Sequence, residues 1–512
     1  MSFHTPSSKT LPYSLPILSG LLLVLCQPPV SLFFLAYVAL VPLLADIHGK
    51  SLQKSFVSGF LAGTVAFAGL VYWVVVSMNT YGGMSPALSL LVLALLVLYL
   101  ALYVAVFALS VTWLSSRGLE VYITAPLIWV ILEYARGSLL SGFPWSYLAH
   151  SQEPFLAFIQ VASVTGSYFL SFLIVAVNGV VATSLRTKRI PLLFAVLTAA
   201  LVTLTLAFGW NRLRLPEQGN LKAAIVQGNM PQDVKWDAAF KAYTINTYRD
   251  LTVKQSRGAS LIVWPETAIP DYFFNIHPRY TDAIASKVTQ WRAPLLLGAA
   301  RVVLDAEGLA AQDYNTAFLF QPGGRAPQSY DKIHLVPFGE DFSYFRYLPF
   351  MKIFGLDLGT LDRGTTATIF HLQAGGATIR FATAICFEST MPYLFRRFTR
   401  QGAQFLVVIT NDGWYGDSSG AAKHFVQSVF RAIETRRWIC RCANSGISAF
   451  ISPEGRVVAR AELNRTGELR ERIVPAAAGA AALTPHVRVG PWFPIVCGLA
   501  SLFALAARRG PA

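Results

Sequence analysis

The feature that most constrains this chain is a succession of long apolar runs. They lie near residues 12–27, 30–46, 54–77, 86–114, 121–139, 156–183 and 190–209, with one more at 490–508. A bilayer-spanning helix needs about 20 mainly apolar residues, because inside the hydrocarbon every backbone polar group must be satisfied within the helix itself. Most of the runs qualify; the first two are short and broken by Pro12, Pro16, Pro28 and Pro29. The pattern predicts a membrane domain of seven spans over residues 1–210, a polar domain over 215–485, and a final span with its tail over 486–512. Charged residues are only 13% of the 512, against roughly 25% in soluble domains. The mean hydropathy is +0.48. No small-residue cleavage site follows the first run and a second apolar run starts at once, which argues against a removable signal peptide.

The short loops give an orientation. Lys9, then Lys50 and Lys54, then Arg117, then Arg186, Lys188 and Arg189, then Arg508 and Arg509 fall on one side. The alternate loops near 28–31, 79–85 and 140–155 hold no Lys or Arg. By the positive-inside rule both termini are cytoplasmic and the 215–485 domain is outside, which in a two-membrane bacterium means a periplasmic domain on the inner membrane. The net charge of +15 admits nucleic acid or anionic lipid as a partner. The hydrophobic content selects the membrane, and no nucleic acid is expected. Within the spans, Glu133 and Arg136 are three apart on one helix face. They are expected to form an internal ion pair, with a lipid headgroup contact as the alternative. Tyr72, Trp73, Tyr81, Phe143, Trp145 and Tyr147 sit near outer span ends, where interfacial anchoring accounts for them.

After Trp210 charges return, and short apolar runs alternate with helical stretches. Candidate strands are 222–227, 261–264, 294–299, 317–321, 378–384, 405–410 and 447–452; helical patterns lie near 235–256, 279–291, 390–401 and 420–438. Such interleaving predicts a layered α/β domain with buried sheets.

Three reactive residues stand at or near candidate strand ends: Glu266 in IVWPETAIP, Lys332 in YDKIHLVPFGE and Cys386 in FATAICFES. Strand ends in α/β folds can converge on one crevice. A cysteine needs a base, since its free pKa is about 8.5. A carboxylate can be that base, and a lysine can stabilise an oxyanion. From spacing alone Cys386 could equally be a small core residue.

The motifs go further. WPE around Glu266, DK before IHLVPFGE, CFE around Cys386 and TNDGWYG at 410–416 occur in an order that resembles the nitrilase (carbon–nitrogen hydrolase) superfamily. That resemblance implies an α-β-β-α sandwich and a Glu–Lys–Cys triad. Over its full length the chain is similar to the apolipoprotein N-acyltransferase family, on GLVYWVVVSMNTYGG (69–83), SGFPWSYLAHSQ (141–152) and IVQGNMPQDVKW (225–236). It departs modestly: DFSYF follows PFGE, and Phe387 stands where tyrosine is also common. The resemblance implies a phospholipid acyl donor, typically phosphatidylethanolamine, a thioester on Cys386, and a diacylated apolipoprotein acceptor. It also implies no cofactor and a monomer.

By the same resemblance Glu340 and Glu388 help position the triad, and Trp236, Phe387 and Trp414 border the substrate pocket. The aromatic-rich stretch 338–354 is expected to be a lipid-facing arm. Cys440 and Cys442 lack further ligands at metal-binding spacing and are expected to be buried structural thiols. His424 is expected to be structural or surface, and Arg431, Glu434 and Arg436 to pair along a helix. Two rivals remain: a membrane-tethered hydrolase with the same catalytic residues, and a transporter with a binding module, against which the scarcity of charge in the spans speaks.

Overall fold

The structure, a computed structural model, describes residues 13–213, 219–232, 235, 237, 239–255, 257–272, 274–323, 326–341 and 361–507. Four helices are long and apolar enough to cross a membrane: Leu52–Val71, Pro86–Ser115, Tyr168–Thr187 and Leu192–Arg212. Ser14–Leu25, Val121–Arg136 and Trp492–Ala507 are apolar but shorter. Two runs that read as continuous are broken. The 30–46 run is a 3-10 turn, Phe33–Tyr37, followed by helix Val41–Ile47. The 156–183 run starts as two one-turn helices, Leu156–Ile159 and Ala162–Thr165. It then turns at Gly166 (φ 70°) before Tyr168–Thr187 begins. Apolar composition reports burial and is blind to such breaks.

Lipid tails are as apolar as leucine, so helices in a bilayer associate through close packing of small residues. Helix Leu52–Val71 carries Gly59 and Gly63 against helix Pro86–Ser115. A Cβ at Gly59 would lie 2.5 Å from the Val104 carbonyl oxygen, and one at Gly63 would lie 2.8 Å from Ala101 Cα. The expected Glu133–Arg136 ion pair is absent among the described residues. Glu133 instead accepts from the Leu148 N–H at 2.7 Å and Trp129 Nε1 at 3.2 Å. Arg136 donates to the carbonyls of Trp145 at 2.6 Å and Phe143 at 3.3 Å. Each charge holds loop backbone, Glu133 at Leu148 and Arg136 at Phe143 and Trp145.

The α/β domain has twelve strands: β1 Leu221–Gln227, β2 Leu261–Val263, β3 Leu295–Leu304, β4 Ala310–Phe320, β5 Gln328–Asp331, β6 Phe370–Ala374, β7 Ala377–Ile385, β8 Phe405–Thr410, β9 Ile439–Ala443, β10 Ser448–Ile451, β11 Val457–Ala461 and β12 Gly467–Ile473. They form two six-stranded sheets, ordered β12-β1-β2-β3-β4-β5 and β11-β10-β9-β8-β7-β6. β1, β2 and β3 run parallel, as do β7, β8 and β9. Alternation along each central strand makes the sandwich, because successive side chains point to opposite faces. Ala223, Ile225, Leu261, Val263 and Leu296 face the second sheet, in the large core. Ala224, Val226, Ile262, Trp264, Leu295 and Leu297 form a separate core with Tyr248, Ile284 and Val288 of helices Lys241–Gln255 and Pro278–Trp291. On the other side, Phe395, Phe398, Val429 and Ile433 of helices Pro392–Arg400 and Gly420–Thr435 cover the second sheet. The order is helix, sheet, sheet, helix, as expected.

Five strands escaped the sequence reading. β5, β6, β11 and β12 are short or polar, and all four are sheet edges. The apolar run of β9 is interrupted by a buried arginine, Arg441. The α/β domain sits on the loops that carry no Lys or Arg: Tyr72 Oη accepts from the Ser419 N–H, Ser77 Oγ donates to the Trp414 carbonyl, and Gln427 contacts Pro144 and His150. Trp73, Trp145 and Tyr147, expected as interfacial anchors, are buried there.

The glycine contact gives a prediction. Gly59→Leu forces the two helices apart and costs about 1–3 kcal/mol or more. The midpoint of thermal unfolding in detergent is expected to fall, whereas Val57→Leu, at an exposed position of the same helix, leaves it unchanged.

Candidate active site

The site lies where the carboxyl ends of parallel strands from both sheets meet. Glu266 follows β2. Gly298 on β3 lets the chain turn there: a Cβ at 298 would lie 2.7 Å from both Glu266 Cα and the Thr267 nitrogen. The Glu266 carboxylate is 5% exposed. Oε1 accepts from Asn315 Nδ2 at 2.7 Å, and Oε2 accepts from the Asn411 N–H, just past β8, at 2.8 Å. Lys332 leaves the end of β5, which an Arg301–Asp331 fork (2.8 and 2.7 Å) pins in place. Its Nζ is 3.6 Å from Glu266 Oε1 and donates to Glu340 Oε1 at 2.8 Å. Asn315 Nδ2 also reaches Glu340 Oε1, at 3.3 Å, and the other Glu340 oxygen accepts from the Val336 N–H.

Cys386 follows β7 directly and starts the 3-10 turn Cys386–Thr390 with φ at 52°, a left-handed conformation costly for a residue with a side chain. Glu388, fully buried, holds the turn. Its Oε2 accepts from the Ile385 N–H, and its Oε1 from Tyr330 Oη and from the N–H groups of Ile333 and His334, all within 3.0 Å. One carboxylate thus ties the Lys332 segment to the Cys386 turn. Burial pushes its pKa up to about 6, against the pull of those donors and of Lys332.

The electrostatics set the resting states. Burial alone would lower the Lys332 ammonium, but Glu340, Glu266 and Cys386 outweigh it and raise its pKa, so it stays charged. Burial and then the Glu266 charge raise the Cys386 pKa, with Lys332 opposing. The thiol is therefore protonated at rest and needs a base as it reacts. Glu266 is a carboxylate and Lys332 a cation whose charges both reach the thiol, a set that can supply a base and an oxyanion stabiliser.

The sequence reading missed several neighbours. Asn315 belongs to no motif. Lys235 is fully buried, donates to Thr267 Oγ1 at 2.6 Å and to the Glu266 carbonyl at 3.2 Å, and is pushed down to about 7 by burial, with Glu266 opposing. His424 is more closely tied to the site than its helical position implied. Its Nε2 lies 3.1 Å from the Cys386 carbonyl oxygen and 2.8 Å from Ser389 Oγ, and its Nδ1 lies 2.8 Å from Asp412 Oδ1. Arg441 donates to Asp412 Oδ2 at 2.8 Å. Burial would raise the Asp412 carboxyl, yet Arg441 and His424 hold it well below the usual range.

The remaining expected residues fall as follows. Phe387 is buried and stacks toward Trp145, ring centroids 6.4 Å apart. Trp414 is 38% exposed beside Tyr81. Trp236 lies outside the described residues, as does 342–354 of the aromatic stretch. Cys440 and Cys442 are fully buried in β9, and burial pushes both thiols up. Arg431 and Glu434 pair at 2.8 Å, whereas Arg436, beyond the helix end, faces Glu454 at 3.9 Å.

Comparison with known proteins agrees with this architecture. Residues 19–180 match the apolipoprotein N-acyltransferase N-terminal domain, and residues 222–481 match the carbon-nitrogen hydrolase family. The apolipoprotein N-acyltransferase of Geobacter metallireducens is 38% identical over 87% of this chain and 86% of its own. That of Chlorobaculum tepidum is 30% identical over 97% of each. The solved structure of Saccharomyces cerevisiae Nit3, a nitrilase-superfamily member, covers 54% of this chain and 93% of its own at 19% identity and a TM-score of 0.35, too remote to add weight. Two adjoining domain matches and full-length relatives agree, and the chain belongs to the apolipoprotein N-acyltransferase family.

Proposed function

We propose that this membrane enzyme moves an acyl chain from a phospholipid, through a thioester on Cys386, to the α-amine of the amino-terminal S-diacylglyceryl cysteine of apolipoproteins. The observation that carries this reading is the buried Glu266–Lys332–Glu340 cluster, with the charges of Glu266 and Lys332 acting on the Cys386 thiol and Phe387, next to Cys386, packed on Trp145 of the apolar bundle. Glu266 takes the thiol proton as sulfur attacks the ester carbonyl of the donor. Lys332 balances the oxyanion of the tetrahedral intermediate. The intermediate collapses, the C–O bond breaks, and Glu266 returns the proton to the leaving lysophospholipid alcohol. The acceptor amine then attacks the thioester and Glu266 accepts its proton. The C–S bond breaks, the thiolate is reprotonated from Glu266, and the amide is released. Thioesters suit this task because amines attack them more readily than they attack esters. Burial of the site suppresses competing hydrolysis.

Glu340 orients Lys332 and Asn315, and Glu388 holds the Cys386 turn against the Lys332 segment. Phe387, Trp414 and Trp236 border the acyl and acceptor pocket. The donor is phosphatidylethanolamine and the enzyme acts as a monomer. The membrane domain, residues 1–210, supplies seven spans, and 486–512 supplies the last. Residues 215–485 lie on the periplasmic face of the inner membrane with both termini cytoplasmic. The seating of the α/β domain on the loops without Lys or Arg supports this orientation. It also favours an acyltransferase over a tethered hydrolase, since a soluble-substrate hydrolase gains nothing from a bundle packed against its nucleophile.

Purified enzyme given phosphatidylethanolamine alone is expected to gain one acyl group on Cys386, visible by mass spectrometry and removed by hydroxylamine; acylation of Cys386→Ser at the wild-type rate would refute the thiolate role. Glu266→Gln is expected to slow acyl-enzyme formation about 10²–10⁴-fold. The same substitution removes a negative charge that raises the Cys386 pKa. Its alkylation by iodoacetamide should therefore titrate at lower pH, while Lys332→Met should shift the curve upward. In spheroplasts, an impermeant protease is expected to cut within 215–485; protection there with cleavage in the 184–190 loop would invert the topology.

A further inference from the structure

We infer that Trp145 is a positioning residue for Cys386, clamped by Glu133 and Arg136, so that a membrane helix sets the geometry of the nucleophile turn. The inference rests on the catalytic reading of Cys386. Glu133 and Arg136 are 4% and 5% exposed in a helix of the apolar bundle. Buried charges in such a place are costly and are kept for a function. Here both are directed at one short loop. Arg136 Nη1 holds the Phe143 and Trp145 carbonyls, while Glu133 Oε1 holds the Leu148 N–H. The second Glu133 oxygen is buried without a hydrogen-bond partner. The loop needs such a clamp: Leu140, Ser141 and Ser146 all have positive φ, 50°, 73° and 52°.

The clamp fixes Trp145, which is 2% exposed. Its ring lies 6.4 Å from Phe387, 5.5 Å from His424 and 6.0 Å from Tyr415, with Trp73 at 4.7 Å behind it. Phe387 is the residue after the nucleophile, and His424 Nε2 reaches the Cys386 carbonyl. Trp145 therefore abuts both groups that flank Cys386. A left-handed Cys386 persists only if its surroundings over-determine it, and the indole forms the bundle-side wall of those surroundings. The bundle so becomes part of the nucleophile's support rather than a passive anchor.

The test uses the full-length enzyme in detergent, with Trp145→Leu, Trp145→Phe and Arg136→Lys. Three quantities are measured: thermal midpoint, the rate of Cys386 acylation at saturating phosphatidylethanolamine, and the pH profile of Cys386 alkylation by iodoacetamide. Trp145→Leu is expected to lower the maximal acylation rate roughly 10–100-fold, the scale of a misplaced reacting group. KM should change little and the alkylation profile should shift. Trp145→Phe should recover most of the rate, and Arg136→Lys, which loses the guanidinium's reach to two carbonyls, should reproduce the Leu defect in part. If Trp145→Leu does not fold, the Arg136→Lys variant carries the test alone. A wild-type maximal rate and alkylation profile in the folded variants, with only a lower thermal midpoint or a raised KM, would overturn the inference. The alkylation profile reads the setting of Cys386 without any acyl transfer. Failure of the wild-type enzyme to acylate Cys386 would therefore count against the proposed reaction, and an unmoved profile against the positioning role.

Discussion

A carboxylate nearly cut off from water must be given hydrogen bonds by the protein, or it gives up its charge. The site is organised around that requirement at Glu266. Its donors come from separate parts of the domain: Asn315 from β4 of one sheet, the Asn411 N–H from beyond β8 of the other, and Lys332 at ion-pair distance beyond β5. Saturating one carboxylate therefore requires the two sheets to be in register at their carboxyl ends. The setting of Glu266, the proposed base, is in this sense a product of the whole sandwich.

Cys386, the proposed nucleophile, poses the opposite problem. Burial and the neighbouring Glu266 charge favour the neutral thiol, so reactivity has to come from geometry and timing, with the proton leaving as the carbon–sulfur bond forms. Geometry at Cys386 is held from three directions. Glu388 binds the backbone before it, His424 contacts its carbonyl, and Phe387 is packed beneath Trp145. The Asp412–Arg441 pair anchors His424 in turn. A left-handed cysteine would relax elsewhere; here each escape is blocked by a buried contact.

These contacts also join two kinds of solvent environment. The helical region is stabilised by small-residue packing, as at Gly59 and Gly63. The α/β domain is stabilised by two apolar cores, the larger of which runs on into the helical region. Between them lies a mixed surface of aromatic rings and backbone hydrogen bonds around Trp73, Trp145, Tyr147 and Trp414. The proposed reaction needs lipid to reach the Cys386 sulfur while water is kept from the thioester, and a surface of this mixed character serves both.

Amino-acid order alone determined the membrane character and the layered α/β domain, and it singled out Glu266, Lys332 and Cys386 as the proposed triad. Hydrophobic run length and strand-end motifs are local properties that survive in one dimension. It could not reveal that Gly166 breaks a long apolar run, because run length records burial and says nothing of backbone direction. Nor could it find Asn315, Lys235 or His424, which meet the catalytic groups only after strands distant in the chain are laid side by side. Glu133 and Arg136 show the limit most clearly. Three-residue spacing predicts a pair on one helix face, yet each residue is committed to loop backbone at 143–148. Tertiary structure decided that, because those backbone partners exist only once the loop has folded over the helix.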